Sequence, residues 1–511
     1  ARDTVSISLH EAVQIAMEQN YAIRGSRLDI ENANAQIRNA WGSVYPQVAF
    51  STNYQRNVRT SNPFAGSSAG NIFASFGAID WLRFNESARA DGNPQTEPIT
   101  LDEFRQRQQQ GYREAGIDPT GGGGNPFGVA NQFTSGLDVS QTLFSDQAFT
   151  AIRTAQTFKS ANQHTLDRQR QETVHQVRTA FYAVLLARER TEIVRQSLDR
   201  TRRTLEESRR RVERGAAPKM QRLSAEVDLA NLRTELIQVQ NQVEQARNRF
   251  KHALGMAVDR PIRLRGELEA PDELSAPERS TAAVQHLAVD QRSDLERARL
   301  NVDLETARRE AAEAGYMPRV EAFASLGLSG RVPDDRTQVL SDPNDPFQFS
   351  TRTNDVFSNQ YWENSVAVGL RVSWDLFTGF QTQSQIQQAQ VSINRARLQR
   401  DQLEQSVRLE VRQALQNLQS ARQRIASQRQ NLETAELNYE YARTRLDEGM
   451  GTPLEERTAS EQLDQTRLSY LQAVHDYLVA RSTYELATGQ VTDGRPDLDA
   501  PLDPTTDPSA R

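Results

Sequence analysis

The sequence predicts a mixed α/β membrane protein that is built twice on the same plan, from amphipathic β-strands and very long coiled-coil helices. Three observations predict this fold class. The chain repeats its own residue pattern, four segments alternate between apolar and polar residues, and two long stretches keep a heptad period without proline or interior glycine. These features favour thin, elongated structure over one large closed core.

The composition narrows the possible classes of protein. Only 37% of the 511 residues are hydrophobic, which is low for a chain with a single large core. The formal net charge of −6 does not indicate a nucleic-acid binder. The lack of cysteine excludes disulfides, thiolate metal sites and thiol nucleophiles. No apolar run reaches the length of about 18 residues that a transmembrane helix needs. The chain starts with alanine, so we expect a processed form whose export signal lies outside this sequence.

The duplication is visible in two pairs of segments. Residues 136–144 (Gly-Leu-Asp-Val-Ser-Gln-Thr-Leu-Phe) match residues 369–377 (Gly-Leu-Arg-Val-Ser-Trp-Asp-Leu-Phe). A heptad ladder in the first half also has a copy in the second. Its rungs are Val177, Val184, Thr191, Leu198, Leu205 and Val212, and then Val411, Leu418, Ile425, Leu432, Tyr439 and Leu446. The predicted division is a first repeat at 1–255, a linker or equatorial strap at 256–280, a second repeat at 281–489 and a flexible acidic tail at 490–511.

Each repeat is predicted to begin with a helix of roughly 30 residues that ends near a proline. The first of these helices, near 10–44, starts at a capping box formed by Ser8 and Glu11. An alternating strand, a long loop and a second alternating strand follow. In the first repeat these are residues 48–53, 58–132 and 135–144, and in the second they are residues 320–328, 330–363 and 365–377.

A very long helix follows the second strand of each repeat, and a shorter helix returns. Roughly 67 residues at about 1.5 Å per residue give a helix of about 100 Å. Each long helix ends at a glycine with a proline within four residues, which is typical of a helix stop and a new helix start. The long helices are predicted at 148–214 and 381–448, and the return helices at 219–253 and 453–487. Each pair forms an antiparallel coiled-coil hairpin with a tight tip.

The four strands have about the length that crosses a bilayer. Four strands cannot close a barrel alone, and open edges in lipid leave backbone groups unpaired at several kcal/mol each. Other copies of the chain must therefore complete the sheet, and three copies would supply twelve strands. The expected fold is a trimeric twelve-stranded β-barrel, with four strands per chain, continued by a long α-helical coiled-coil barrel.

The duplicated order of elements resembles the TolC family of outer-membrane efflux and secretion ducts. The resemblance covers about residues 8–490, and three short motifs support it: Ser8-Leu9-His10-Glu11-Ala12, Leu376-Phe377-Thr378-Gly379, and Ala253-Leu254-Gly255 with Ala487-Thr488-Gly489. It implies a homotrimer in the outer membrane of a Gram-negative cell, extending into the periplasm. The implied partners are a periplasmic adaptor (membrane fusion) protein, an inner-membrane pump and outer-membrane lipid, with no nucleic acid, cofactor or metal.

The function implied by the resemblance is the exit duct of a tripartite efflux pump. Such a duct is a passive channel with a gated periplasmic tip, and it is not an enzyme. The exit duct of a type I protein secretion system is an alternative, because the same kind of duct serves both kinds of pump. A soluble coiled-coil scaffold protein is an alternative of another class; the helices allow it, and the four alternating segments argue against it.

Candidate gate and lumen residues follow the second tip. In the family, acids six and nine residues after the tip glycine surround the constriction; Glu455 matches the first position, and Thr458 departs from the second. Three Glu455 carboxylates around a narrow axis would favour cations, although an exposed acid in a first helical turn is also favoured by the helix dipole alone. The same helix carries polar residues at 3,4 spacing, which face either the lumen or the outside. The full candidate set is Glu455, Thr458, Glu461, Gln462, Asp464 and Gln465.

Two further sets of residues are candidates for contacts with partners. Small residues at the hairpin tips would let a helical hairpin of the adaptor approach the backbone; they are Gly215, Ala216, Ala217 and Pro218, and Gly449, Met450, Gly451, Thr452 and Pro453. Aromatic residues near the strand ends would form a belt at the membrane interface; they are Tyr54, Phe144, Tyr361, Trp362, Trp374 and Phe377.

Overall fold

The elements of the chain follow the duplicated order. The computed structural model describes residues 5–59, 76–92, 96–117, 129–271, 274, 280–342 and 345–491. The first repeat contains β1 (Val5–Ile7), α1 (Leu9–Gln19), α2 (Tyr21–Gly42), β2 (Gln47–Arg56), α3 (Phe76–Ala90), α4 (Leu101–Glu114), β3 (Asn131–Phe144), α5 (Asp146–Glu213) and α6 (Lys219–Leu254). The linker contains β4 (Ile262–Leu264). The second repeat contains α7 (Thr281–Gln291), α8 (Ser293–Glu313), β5 (Arg319–Val332), β6 (Thr337–Ser341), β7 (Phe349–Thr353), β8 (Trp362–Ser373), α9 (Gln381–Asp447) and α10 (Pro453–Thr488).

The chain forms two units, and each draws on both repeats. The helical unit comprises Ala1–Trp41, Gln147–Gly315 and Phe377–Arg511. The sheet unit comprises Gly42–Asp146 and Tyr316–Leu376. The duplication therefore builds each unit from two matching halves.

The helical unit is organised by α5 and α9, which run unbroken for 68 and 67 residues. Their heptad rungs are buried as the period predicts: Val177 and Val411 are inaccessible to solvent, and the rungs closest to the tips are half-buried. The bounds of all four hairpin helices lie within two residues of the predicted ones. In the described part of the chain, none of the helices combines the length and the apolarity needed to cross a membrane.

The core of the helical unit includes the short parallel pair of β1 and β4, in which Ile7 lies opposite Leu264. The rings of Phe181 and Phe250 meet edge-on in this core, with centroids 5.7 Å apart. Just after β1, Ser8 and Glu11 form the predicted capping box. Hydrogen bonds from the backbone and side chain of Ser8, and then from Arg265 of the linker, lower the pKa of Glu11 to about 2. The described part of the linker is thus fastened to the start of the chain.

The prediction of one unbroken helix near 10–44 is wrong, because the chain leaves the helical conformation at Asn20. The Asn20 side chain accepts a hydrogen bond from the N–H of Ala22 at 2.9 Å and donates one to the carbonyl of Ala253 at 2.9 Å. The second repeat breaks in the same way at Arg292, whose guanidinium donates to the carbonyl of Ala487 at 3.2 Å. In both repeats a polar side chain at the break reaches the last turn of the return helix.

The prediction of loop throughout 58–132 is also wrong in part, because α3 and α4 form within this segment. Helix α4 begins at Thr100, whose side chain accepts a hydrogen bond from the N–H of Glu103, and such a cap is a helix start signal. Phe104 of α4 packs edge-on against Phe347, with ring centroids 5.3 Å apart. Helix α4 is therefore stabilised by Phe347, which precedes β7. Strands β6 and β7 pair as a hairpin within the second predicted loop, 330–363.

The acidic tail predicted at 490–511 falls outside the described residues from position 492 onward. Residue Val491, the last described position, is buried against the helical core.

The sheet unit contains one antiparallel sheet of four strands in the order β2-β3-β5-β8. The two inner strands have a partner on both sides. Strands β2 and β8 each have a partner on one side only within the described residues, so both edges of the sheet present unpaired backbone groups. This open sheet contains all four strands that the sequence predicts.

Candidate functional site

One face of the sheet is apolar and exposed. The strand register places Phe50 beside Leu137, Leu326 and Val366, and the next residues on this face continue the pattern. Phe50 is 70% exposed and Val368 is 80% exposed. An exposed band of large apolar residues on this scale indicates contact with lipid or with another protein surface.

The opposite face carries small and polar residues. Because side chains alternate along a strand, the positions between the apolar ones all lie on this second face. One complete row across the sheet consists of Ser51, Gly136, Gly327 and Ser365. Alternation of an apolar outer face with a polar inner face is typical of the strands of outer-membrane barrels.

The apolar face has the height of a membrane. From Trp362 to Val372 strand β8 covers about 33 Å at roughly 3.3 Å per residue, and a tilt of about 40° reduces this to roughly 25 Å, the height of the lipid-facing band of such barrels. The 14-residue strand β5 and the 12-residue strand β8 are both long enough to cross this band.

A continuous row of aromatic rings lies at one end of the apolar face. Tyr54, Phe133, Gly330 and Trp362 are register neighbours on four successive strands. The centroids of Tyr54 and Phe133 are 4.6 Å apart, and those of Phe133 and Trp362 are 5.6 Å apart. The Trp362 indole N–H donates to the carbonyl of Val356 at 2.8 Å. The row brings together two of the predicted belt residues, Tyr54 and Trp362, and Tyr361 directly precedes it.

The other predicted belt residues follow the strand ends that connect to helices. Phe144 is the last residue of β3 and is exposed. The indole of Trp374, just after β8, donates to the carbonyl of Tyr316 at 3.0 Å. Phe377 belongs to the helical unit, where its ring meets that of Phe380 edge-on at 5.6 Å.

The two tip turns have the same backbone design. Gly215 and Gly449 have φ values of +72° and +76°, which is the left-handed region that favours glycine. The following residues close the helix ends: the N–H of Ala216 donates to the carbonyl of Arg211, and that of Met450 to the carbonyl of Arg445, both at 2.8 Å. Pro218 is the N-cap of α6, and Pro453 is the first residue of α10. The small tip residues Ala217, Gly451 and Thr452 complete these turns.

Glu455 caps the helix that follows the second tip. It forms a reciprocal capping box with Thr452, with both hydrogen bonds at 3.3 Å, and its side chain is exposed. Thr458 is also exposed, although its hydroxyl donates to the carbonyl of Leu454 at 2.9 Å. The carboxylate of Glu455 therefore both starts α10 and remains open to solvent at the tip.

The remaining gate candidates differ in their surroundings. Glu461 accepts a hydrogen bond from Arg457 at 2.8 Å. Gln462 and Gln465 are exposed. Asp464 is mostly buried and forms a short ion pair with Arg200 of the first hairpin. Asp464 therefore forms a contact between the two hairpins. An acid that lines a lumen would need a carboxylate that is not neutralised in this way.

Two ion pairs join the hairpins near their tips. Arg457 of α10 binds Asp228 of α6, with its closest approach at 2.7 Å, and Arg200 of α5 binds Asp464 of α10. The hydrogen bond to Glu461 is the main cause that raises the pKa of Arg457, and Asp228 adds to it. Helix α10 is thus tied to both helices of the first hairpin.

A cleft lies between the two tips, beside these ion pairs. Its apolar lining comes from the first turns of α6 and α10 and from Leu232 further along α6; the residues are Pro218, Met220, Leu232, Pro453 and Leu454. Met220 and Leu454 are largely exposed.

Comparison with protein families identifies this architecture. The family described as outer membrane efflux protein matches residues 85–256 and 284–490, one segment in each repeat. The chain belongs to this family. No match was found among curated proteins by sequence.

Solved structures of outer-membrane channels share the fold of this efflux protein. The Campylobacter jejuni CmeC channel aligns over 94% of the chain and 85% of its own length, with 12% identity and a TM-score of 0.68. The Vibrio cholerae outer membrane protein VceC aligns over 94% of the chain and 96% of its own length, with 16% identity and a TM-score of 0.65. The Neisseria gonorrhoeae MtrE channel, in its open state, aligns over 94% of the chain and 88% of its own length, with 15% identity and a TM-score of 0.62.

These findings confirm the predicted fold class of an outer-membrane channel, with four strands per chain in the sheet and long α-helical coiled-coil hairpins. The efflux protein is a channel of the outer membrane that extends into the periplasm, and it is not an enzyme. The alternative of a soluble coiled-coil scaffold is wrong.

Sequence reasoning missed several residues of these sites. Phe133 lies two residues before the predicted start of its strand, and extending the alternation from Ser135 by one step would have found it. No short-range sequence pattern reveals the pairing of Arg457 with Asp228, because 229 positions separate the two residues. The ion pair of Arg200 with Asp464 is equally invisible in a sequence pattern.

The apolar face can be tested by placing a charge on it. We expect Val368→Arg to destabilise the assembled efflux protein by about 2–4 kcal/mol, because it exposes a guanidinium to lipid near the middle of the band. Urea unfolding in lipid vesicles measures this cost. The control is Ala367→Arg on the neighbouring position of the polar face, which should leave stability nearly unchanged. Equal costs for both variants would contradict the assignment of the faces.

Proposed function

We propose that this efflux protein is the exit duct of a tripartite pump. Three copies close one β-barrel in the outer membrane, the helices form a periplasmic tunnel, and the hairpin tips form its gate. The observation that carries the proposal is the sheet. It combines an apolar face as tall as the lipid-facing band of a barrel, a polar face with small residues, and two edge strands that have no outer partner among the described residues.

The sheet edges support closure by copies of the same chain. Strands β2 and β8 run in opposite directions, because each strand of the sheet is antiparallel to its neighbour. The β8 edge of one copy can therefore pair antiparallel with the β2 edge of the next. Pairing removes the cost of unsatisfied backbone groups in lipid, and the polar faces then line a water-filled bore.

The position of Glu455 supports a charged gate at the second tip. Its carboxylate is exposed and lies at the start of α10, where the helix dipole stabilises a negative charge. Three such carboxylates around a common axis would attract cations and repel anions. Among the predicted gate residues, Glu455 has the surroundings that suit a charged constriction. Thr458 lies on the next turn of the same helix.

The ion pairs between hairpins support a closed state that can open. Arg457 with Asp228, and Arg200 with Asp464, hold the second hairpin against the first. Releasing these pairs would free α10 near its tip without disturbing the buried heptad rungs. The related MtrE channel has been solved in an open state, and we infer a corresponding transition here.

The tips also support docking of a periplasmic adaptor that couples the duct to an inner-membrane pump. Small tip residues expose the backbone of both turns, and the cleft between them offers apolar surface from Met220 and Leu454. A helical hairpin with an apolar stripe suits this cleft. The duct itself then provides passage, and the partner supplies the energy.

The gate proposal predicts that Glu455→Ala lowers the preference of the channel for cations. Loss of three carboxylates at a constriction should reduce the cation-to-anion permeability ratio by roughly twofold or more. The reversal potential in a KCl gradient across a planar bilayer measures this ratio. Glu213→Ala, which removes an exposed acid close to the first tip, should have little effect. A wild-type protein that never conducts would refute the channel, and an unchanged ratio in Glu455→Ala would refute the gate residue.

The closed state predicts a gain of conductance when the pair of Arg457 and Asp228 is broken. A partly exposed ion pair contributes about 1 kcal/mol, so Arg457→Ala should raise the ratio of open to closed channels by roughly fivefold. Single-channel recording measures the open fraction. The exchanged double variant Arg457→Asp with Asp228→Arg should restore the wild-type fraction. Arg467→Ala breaks a pair within the second hairpin and serves as the control; if it opens the channel equally, the pair between hairpins is not the latch.

A further inference from the structure

The polar face of the sheet carries one large aromatic side chain. Along the described strands β2, β3, β5 and β8, Phe323 of β5 is the exception on this face. All of the remaining positions hold small, polar or charged residues. In the register, Phe323 lies between Ser140 of β3 and Gly369 of β8. A phenyl ring on this face would project into the proposed bore.

The ring of Phe323 lies across Gly369. A Cβ atom at position 369 would come within 2.9 Å of the ring, so any larger residue there would push the Phe323 ring out of this position. The guanidinium of Arg371, two residues further along β8, lies over the ring at 5.1 Å from its centroid. This is the geometry of a cation–π contact. The missing side chain at Gly369 thus leaves room for the Phe323 ring beside Arg371.

The guanidinium of Arg371 contacts the Phe323 ring and remains largely exposed to solvent. Its nearest carboxylate is Glu321, its direct register partner, at 3.7 Å, which is too long for a hydrogen bond. The Arg371 side chain is 63% exposed. Most of its five N–H donors therefore remain available to a passing anion.

The side chain of Phe323 is larger than those on the next levels of the polar face toward Gly327. Two steps along β5 lies Ser325, and two steps further lies the row of Ser51, Gly136, Gly327 and Ser365, which has no side chain longer than serine. Asp138, opposite Ser325, is the nearest acid in that direction. The bore would be wide at the small-residue row and narrow where three copies of Phe323 project.

We propose that Phe323 and Arg371 of the three copies form a constriction in the barrel that binds planar aromatic carboxylates as they pass. A guanidinium pairs with a carboxylate through two parallel hydrogen bonds, and a phenyl ring offers an aromatic solute an edge or an offset face. Both groups lie on one face, on adjacent levels of the sheet, with the guanidinium 5.1 Å from the ring centroid. The proposal rests on the proposed channel function and adds a second point of selection, within the membrane-spanning sheet.

The test uses the full-length wild-type protein in a planar bilayer with KCl, to which benzoate or acetate is added. Both are monovalent carboxylates, and only benzoate carries a ring. We expect benzoate to reduce the wild-type KCl current and acetate to leave it nearly unchanged. Phe323→Ala should raise the KCl conductance by roughly 1.5-fold to twofold and abolish the benzoate effect.

Two conservative variants test the contribution of the Phe323 ring and that of the Arg371 guanidinium separately. Phe323→Leu keeps an apolar side chain and should lose the benzoate effect with nearly wild-type KCl conductance. Arg371→Lys keeps the charge and should weaken the block by benzoate, because an ammonium lacks the planar fork. The controls are Phe50→Ala on the apolar face and Arg352→Gln in β7, and both should respond to benzoate as the wild type does.

The outcomes distinguish this site from the channel itself. A wild-type protein that conducts and ignores benzoate, or Phe323 and Arg371 variants that respond as the wild type does, would overturn the site and leave the channel intact. A block that persists in Phe323→Leu but is lost in Phe50→Ala would place benzoate on the outer face and overturn it too. A wild-type protein that never conducts would overturn both.

Discussion

The unpaired backbone groups at the two edges of the sheet are the constraint on which the rest of the structure depends. Strand β2 has 10 residues and β8 has 12, and in the part of the chain that the structure describes each has a neighbour on one side only. Their exposed apolar residues suit lipid, where an open edge costs several kcal/mol for each unsatisfied group. A chain with this sheet needs sister copies, and closure by copies gives the polar face an interior to line.

The two units of the chain divide the work of a duct between them. The sheet unit supplies a lipid-facing band and a bore, and neither needs a buried core within one chain. The helical unit supplies a core of its own, in which Phe250 and Tyr477 are fully buried, and two hairpins whose tips are joined by ion pairs. In the proposed duct, selection by charge depends on side chains at constrictions, and we propose Glu455 at a tip and Arg371 on the sheet for this role.

Features with a local period could be predicted from the sequence, and features that depend on distant partners could not. The heptad rungs from Val177 onward and the stop at Gly449 follow from short-range patterns that recur in both repeats. The break at Asn20 depends on a carbonyl 233 positions away. The aromatic row depends on the register that sets Phe133 beside Tyr54, and the contact of Phe323 with Arg371 depends on a glycine on the adjacent strand. Each of these needs the pairing of strands or helices to be known first.

Cysteine cross-linking between strand edges tests the central claim most directly, since the chain has no cysteine of its own. Ser51→Cys on β2 would be combined with Ser365→Cys, Ala367→Cys or Ser373→Cys on β8, all on the polar face, and oxidised in membranes. We expect one register to give disulfides between chains, seen as covalent trimers on a non-reducing gel, because Cβ atoms across paired strands come within about 4–5.5 Å. Disulfides within single chains, or no cross-link in any register, would contradict closure by sister copies.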